Sequence, residues 1–101
     1  MRSPITLLIV LFSALLAGCA VVPPAQEMSD ARQAIQAAEA AGADDRAPRA
    51  LGLARALLEQ AQVELAVKDY SAARRSAQAS KDAAIQAREA ADDVARPVPQ
   101  P

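Results

Sequence analysis

The chain has no histidine and only one cysteine in its 101 residues. Without histidine, no imidazole is present to activate a thiol nucleophile. Without a second cysteine, no disulfide can close within the chain. The three glycines are scattered, so no glycine-rich loop exists to cradle a phosphate, and no nucleophile motif stands in its place. Basic and acidic residues number 11 and 12 and are interspersed. No basic block recommends nucleic acid as a partner. Paired carboxylates occur at Asp44-Asp45 and Asp92-Asp93, but a metal site wants several converging ligands. They read as helix caps and solvated charge, and Arg74-Arg75 reads as a solvated face. No catalytic constellation remains, so the expectation is a protein that is not an enzyme and holds no metal or other cofactor.

What is present begins with the leader. Arg2 gives a short positive start, and Ile5 to Leu16 is almost unbroken apolar sequence, followed by the small residues Ala17 and Gly18. This is the three-part layout of a secretory signal. The apolar run is about a dozen residues, whereas a membrane-spanning helix needs roughly 20. Residues 1–18 are therefore read as a leader that is removed. The hydrophobic share of 52% overstates the core, because much of it is leader and much of the rest is alanine. Alanine buries little area at ~25 cal/mol per Å². The mature chain is expected to be one marginal domain at most.

The mature region divides into a tether over 19–26, a helical region over 27–95 and a proline-rich tail over 96–101. Pro23-Pro24 favours an extended tether. A first helix is expected over 27–41, with Met28, Ala31, Ile35 and Ala38 on one stripe. Gly42 suits a residue just past a helix end, and Asp44 or Asp45 suits the cap of the next helix. The second helix is expected over 48–67, where Pro48 is tolerated as the first residue. Leu51, Ala54, Leu58, Ala61 and Leu65 form its stripe, with Leu53 and Leu57 beside it. Arg55 with Glu59, and Glu64 with Lys68, are spaced as i,i+4 pairs. Gly52 either permits a close backbone approach or is simply tolerated.

Asp69 suits the N-cap of a third helix over 70–95. A turn as short as 68–70 makes its flanking helices antiparallel neighbours. Tyr70, Ala73, Ala77, Ser80, Ala84, Ala87, Ala91 and Val94 continue a 3,4 stripe, and Ala72, Ser76, Ala79, Ala83 and Ala90 form a second. Two small-residue faces allow two neighbours, or a second copy of the chain. At 1.5 Å per residue this helix is roughly 39 Å long, so its end is expected to project beyond the second helix. Leu51, Leu58, Leu65, Tyr70, Ala73 and Ala77 are the candidate interaction or hairpin-core residues, with the Tyr70 ring expected to plug the end of the core. The fold class is all-α: an antiparallel helical hairpin or a small three-helix unit.

Three resemblances extend this reading. Leu16-Ala17-Gly18-Cys19 resembles the lipobox of bacterial lipoproteins. That likeness implies cleavage between Gly18 and Cys19, with a diacylglycerol on the Cys19 sulfur and an acyl chain on its freed amine. Ala20 stands where an aspartate would signal retention in the inner membrane. The likeness therefore implies an outer-membrane anchor facing the periplasm of a Gram-negative bacterium. Stable anchoring takes at least two lipid signals, and a triacylated Cys19 would supply three chains.

The KDYSAA junction, through Asp69, Tyr70 and Ala73, resembles the turn of a tetratricopeptide-type hairpin. It occurs once, whereas solenoids need three or more copies. The pieces EMSDARQAIQAAEAAGAD, AP-x-x-L-x-x-AR-x-x-L and DYSAARRSAQ together resemble small alanine-rich proteobacterial lipoproteins that carry a domain of unknown function. That family implies a fold and a location, and no activity.

Two functions follow as expectations. The first is a lipid-anchored helical interaction module that docks an envelope protein or its own copies. The alternative is a structural spacer that contacts peptidoglycan without a covalent bond. The murein lipoprotein uses a C-terminal lysine for covalent attachment, whereas the last basic residue here is Arg96.

Overall fold

A computed structural model describes residues 3–17 and 22–98. Gly18, Cys19 and Ala20, which carry the expected cleavage, lipidation and sorting, lie outside the described residues. Every regular element among those described is a helix: α1 (Pro4–Ala17), α2 (Ala25–Ala40), α3 (Ala43–Arg46), α4 (Pro48–Ala66) and α5 (Tyr70–Ala95). The fold is all-α. At 14 residues, α1 is about 21 Å long, and none of the described helices is long and apolar enough to cross a membrane. The apolar side chains of α1 from Ile5 to Phe12 are exposed, and α1 makes no more than slight contact with the other helices.

Local chemistry sets the helix ends. α2 starts at Ala25, two residues before the expected start. Pro24 has φ −78°, and its carbonyl accepts from the Met28 amide at 3.0 Å, so the proline itself opens the first turn. α2 ends where Gly42 takes the left-handed conformation, φ 84°, and its amide donates to the Glu39 carbonyl at 3.0 Å. The following break is not an open loop with an aspartate cap. Asp44 and Asp45 lie in the first turn of α3, and the residue before α4 is Ala47, which offers no side-chain cap. Pro48 needs no N–H at that position, which lowers the demand for a cap.

α4 closes differently. The Asp69 amide donates to the Glu64 carbonyl at 2.9 Å and the Lys68 amide to that of Leu65 at 3.0 Å. These paired bonds form a Schellman turn, with Lys68 at φ 64° in the place glycine usually fills. Asp69 then caps α5, its Oδ1 accepting from the Ala72 amide at 3.2 Å.

α5 is the central element and packs against both α4 and α2, which also touch each other. Ser80 Oγ donates to the Ala54 carbonyl and Ser76 Oγ to a Glu64 carboxylate oxygen. As the chain ascends α5 it meets α4 in descending order, so the two are antiparallel. Arg74 meets Glu27, and Arg88 and Asp92 lie beside Ala37, Ala40 and Ala41, so α2 runs parallel to α5. Eight residues of α5 are buried, from Ala73 to Ala91, and none is larger than serine. Small side chains let the backbones approach closely enough for Ser80 Oγ to reach a main-chain carbonyl of α4 at 2.7 Å. Leu51, Met28 and Ile35 are the large apolar side chains buried among these alanines, and Leu58 bridges the two clusters they form.

Three packing expectations need correction. The far end of α5 does not project bare. Ala87 and Ala91 are fully buried in a cluster with Ala38 and Ala43, because α3 and the end of α2 fold over it. Only the last turn is free, with Val94 65% exposed. On the second stripe, Ser76 and Ala83 are buried and Ala72 is half-buried, but Ala79 and Ala90 face solvent. The Tyr70 ring is half-buried and belongs to neither core cluster. Tyr70 is the first residue of α5.

Candidate interaction surfaces

The candidate residues separate by depth. Leu51, Ala73 and Ala77 are fully buried. Leu58 and Leu65 are half-buried against the core, and Tyr70 is half-buried beside the α4–α5 turn. Half of this set therefore builds the interior and offers a partner nothing. Leu51 cannot be reached by another molecule without unfolding α4.

The accessible apolar surface lies on the opposite side of α4. Leu53, Ala56, Gln60, Val63 and Val67 are spaced 3, 4, 3, 4 and are all exposed, with Leu53 at 55%, Val63 at 61% and Val67 at 70%. This spacing places them on one helix face. Gly52 lies alongside, and a Cβ built there would meet nothing within 4 Å. Within the chain, Gly52 permits no close approach and belongs to the outer surface. In the sequence Leu53 stands beside the main stripe. The same 3,4 count started at Leu53 would have exposed a second seam.

A groove of about 350 Å³ runs between the parallel helices α2 and α5, with Asp30 and Gln33 on one wall and Lys81, Ile85 and Arg88 on the other. It is open to solvent and carries charge of both signs.

The charged residues make different pairs from those expected. Arg55 Nη2 does not pair with Glu59 but donates to Glu39 at 3.1 Å and to Asp44 at 3.0 Å. Two carboxylates from α2 and α3 meet this guanidinium and hold its pKa above the ordinary arginine value, chiefly through the Glu39 hydrogen bond and next through that of Asp44. Glu64, expected to pair with Lys68, instead accepts from Ser76 on α5. Asp93 pairs with Arg96 at 3.5 Å. Asp44 and Asp93 are thus each engaged with an arginine.

Arg74 and Arg75 do not form one solvated face. Arg75 is exposed and donates to Ser71. Arg74 is turned toward α2, where its Nε donates to Glu27 at 3.2 Å and its Nη2 to the Val22 carbonyl at 3.0 Å. No local pattern signals this contact, because Val22 and Arg74 are 52 positions apart.

Among the described residues, no group of three or more acidic, histidine or cysteine side chains converges to hold a metal ion. The chain matches no protein-family model, no curated protein and no solved structure.

Proposed function

We propose that the chain is a non-enzymatic, lipid-anchored envelope protein whose helical unit docks a partner at the periplasmic face of the outer membrane. The observation that carries this reading is the apolar helix α1, too short to span a bilayer, which runs into Leu16-Ala17-Gly18-Cys19 and ends at Ala17. Such a run delivers the chain out of the cytosol, and Cys19 is the residue on which a diacylglycerol and an acyl chain would be placed. The resemblance to small alanine-rich proteobacterial lipoproteins points the same way.

The docking part of the reading is supported by the outer seam of α4. Leu53 and Val63 are largely exposed and their burial within the chain does not explain them, while the interior beside them is built almost wholly of alanine. In-cell photocrosslinking from Leu53, Val63 and Lys81, with the products identified by mass spectrometry, tests it. The expected result is one recurrent envelope protein captured from α4. Capture of the same chain would make the module self-associating. Peptidoglycan fragments in place of protein would favour the spacer reading, in which the helical unit bridges membrane and cell wall without a covalent bond.

A further inference from the structure

The described chain enters the helical unit at a fixed place. Arg74 Nη2 holds the Val22 carbonyl at 3.0 Å while its Nε holds Glu27 at 3.2 Å. Pro24, two residues further on, is among the largest fully buried side chains in the protein. A residue of α5 thus straps the start of the chain against the bundle. Arg74 stands one turn beyond Tyr70 on the same face of α5. The strap therefore lies at the end of the bundle where α4 turns into α5.

Only Ala20 and Val21 separate Val22 from Cys19. Three residue steps reach at most ~11 Å, whereas α5 is about 39 Å long. An anchor on Cys19 therefore cannot reach the far end of the bundle while the strap is in place.

The near end carries side chains that suit a lipid surface. Val67 is 70% exposed and Val22 51% exposed. Lys68 projects from the Schellman turn, and Tyr70 is half-buried beside it. Valine side chains, an ammonium on an apolar stem and a phenol with an apolar body are the types that settle at a headgroup boundary. Of the carboxylates at this end, Glu27 is paired with the Arg74 guanidinium, whereas Glu64 and Asp69 accept from neutral donors, the Ser76 hydroxyl and the Ala72 amide, and keep their charge beside Lys68.

We propose that this end, formed by Val22, Val67, Lys68 and Tyr70, rests on the lipid surface that holds the acyl chains of Cys19, with Arg74 as the latch that sets the orientation. The inference rests on the reading that Cys19 is lipidated. It turns the far end, with Asp44, Asp45 and Asp92, away from the membrane.

The test uses the full chain purified from membranes. Lipidation blocks the Cys19 sulfur, so one introduced cysteine is the single free thiol. Val67→Cys and Asp45→Cys proteins are labelled with a fluorophore and placed in phosphatidylethanolamine–phosphatidylglycerol vesicles carrying a headgroup quencher. Palmitate incorporation is measured on the same preparations. Quenching at position 67 is expected to be several-fold stronger than at 45, with Arg74→Gln reducing the contrast while helicity is kept. The two labels alone decide the matter should Arg74→Gln unfold. Equal quenching in palmitate-bearing protein overturns the orientation and leaves the anchor standing. Protein without palmitate overturns the anchor, and the orientation with it.

Discussion

Leu51→Ala is expected to lower the melting temperature by about 8–40 °C. Leu51 is the largest fully buried side chain among the described residues, and it sits in a cluster whose other buried members are alanines and Ile35. Removing a buried leucine costs about 2–5 kcal/mol, with the larger values where the surroundings cannot collapse. Here they cannot collapse easily. Most of the cluster is alanine, such as Ala38, Ala43, Ala47, Ala84 and Ala87, with no side-chain torsion to swing into the space, and the side chains that can turn are Ile35 within it and Leu57 and Leu58 at its edge. In a helical unit of this size, each kcal/mol moves the melting temperature by about 4–8 °C. Thermal melts followed by circular dichroism check this, with Leu53→Ala as the control. Leu53 lies two residues away on the outer seam, and its loss is expected to leave the melt within a few degrees. Equal shifts for the two variants would mean that the face of α4 turned toward α5 has been misassigned.

The second large effect runs in the opposite steric direction. Ala87→Leu is expected to destabilise the protein by about 1–3 kcal/mol, the usual cost of forcing extra methylenes into a close-packed interior. Ala87 is fully buried on α5, the helix that meets both α2 and α4. A leucine there must push one of them away, and the whole interface is built on close approach. The Ser80 Oγ bond to the Ala54 carbonyl at 2.7 Å sits in the same α4–α5 interface and would lengthen with any such movement. Ala90→Leu adds the same atoms on an exposed position of the same helix and is expected to be nearly neutral. A chemical melt of both variants separates overpacking from a change in helix propensity, since alanine and leucine are both strong helix formers.

The two variants also mark how far the sequence could be read. The 3,4 stripe of α5 is a property of one helix, and Ala73, Ala77, Ala84, Ala87 and Ala91 are buried as that stripe requires. Turn chemistry was legible for the same local reason: Gly42 and Asp69 act within a few residues of themselves. Pairing between distant segments was not legible. Arg55 finds Glu39 and Asp44 because α2 and α3 come to lie beside α4, and no i,i+4 count contains that fact. Arg74 reaches Val22 for the same reason. Tyr70 was misplaced because stripe membership gives direction around a helix but no depth along it. The outer seam of α4 was not legible from the stripe of Leu51, Leu58 and Leu65, which defines one face of the helix; Leu53 reads as a neighbour of that stripe, and Val63 and Val67 belong to no stripe counted from it.

Lipid on Cys19 is the claim on which the proposed function turns, and metabolic labelling reads it directly. Wild-type chain and Cys19→Ala are expressed in a Gram-negative host fed labelled palmitate, and each is isolated and sized. The expected result is label on a wild-type product shortened by residues 1–18, with no label and no shortening for Cys19→Ala. A wild-type chain that carries no palmitate, or a Cys19→Ala chain that carries as much as the wild type, would contradict the lipid-anchored reading.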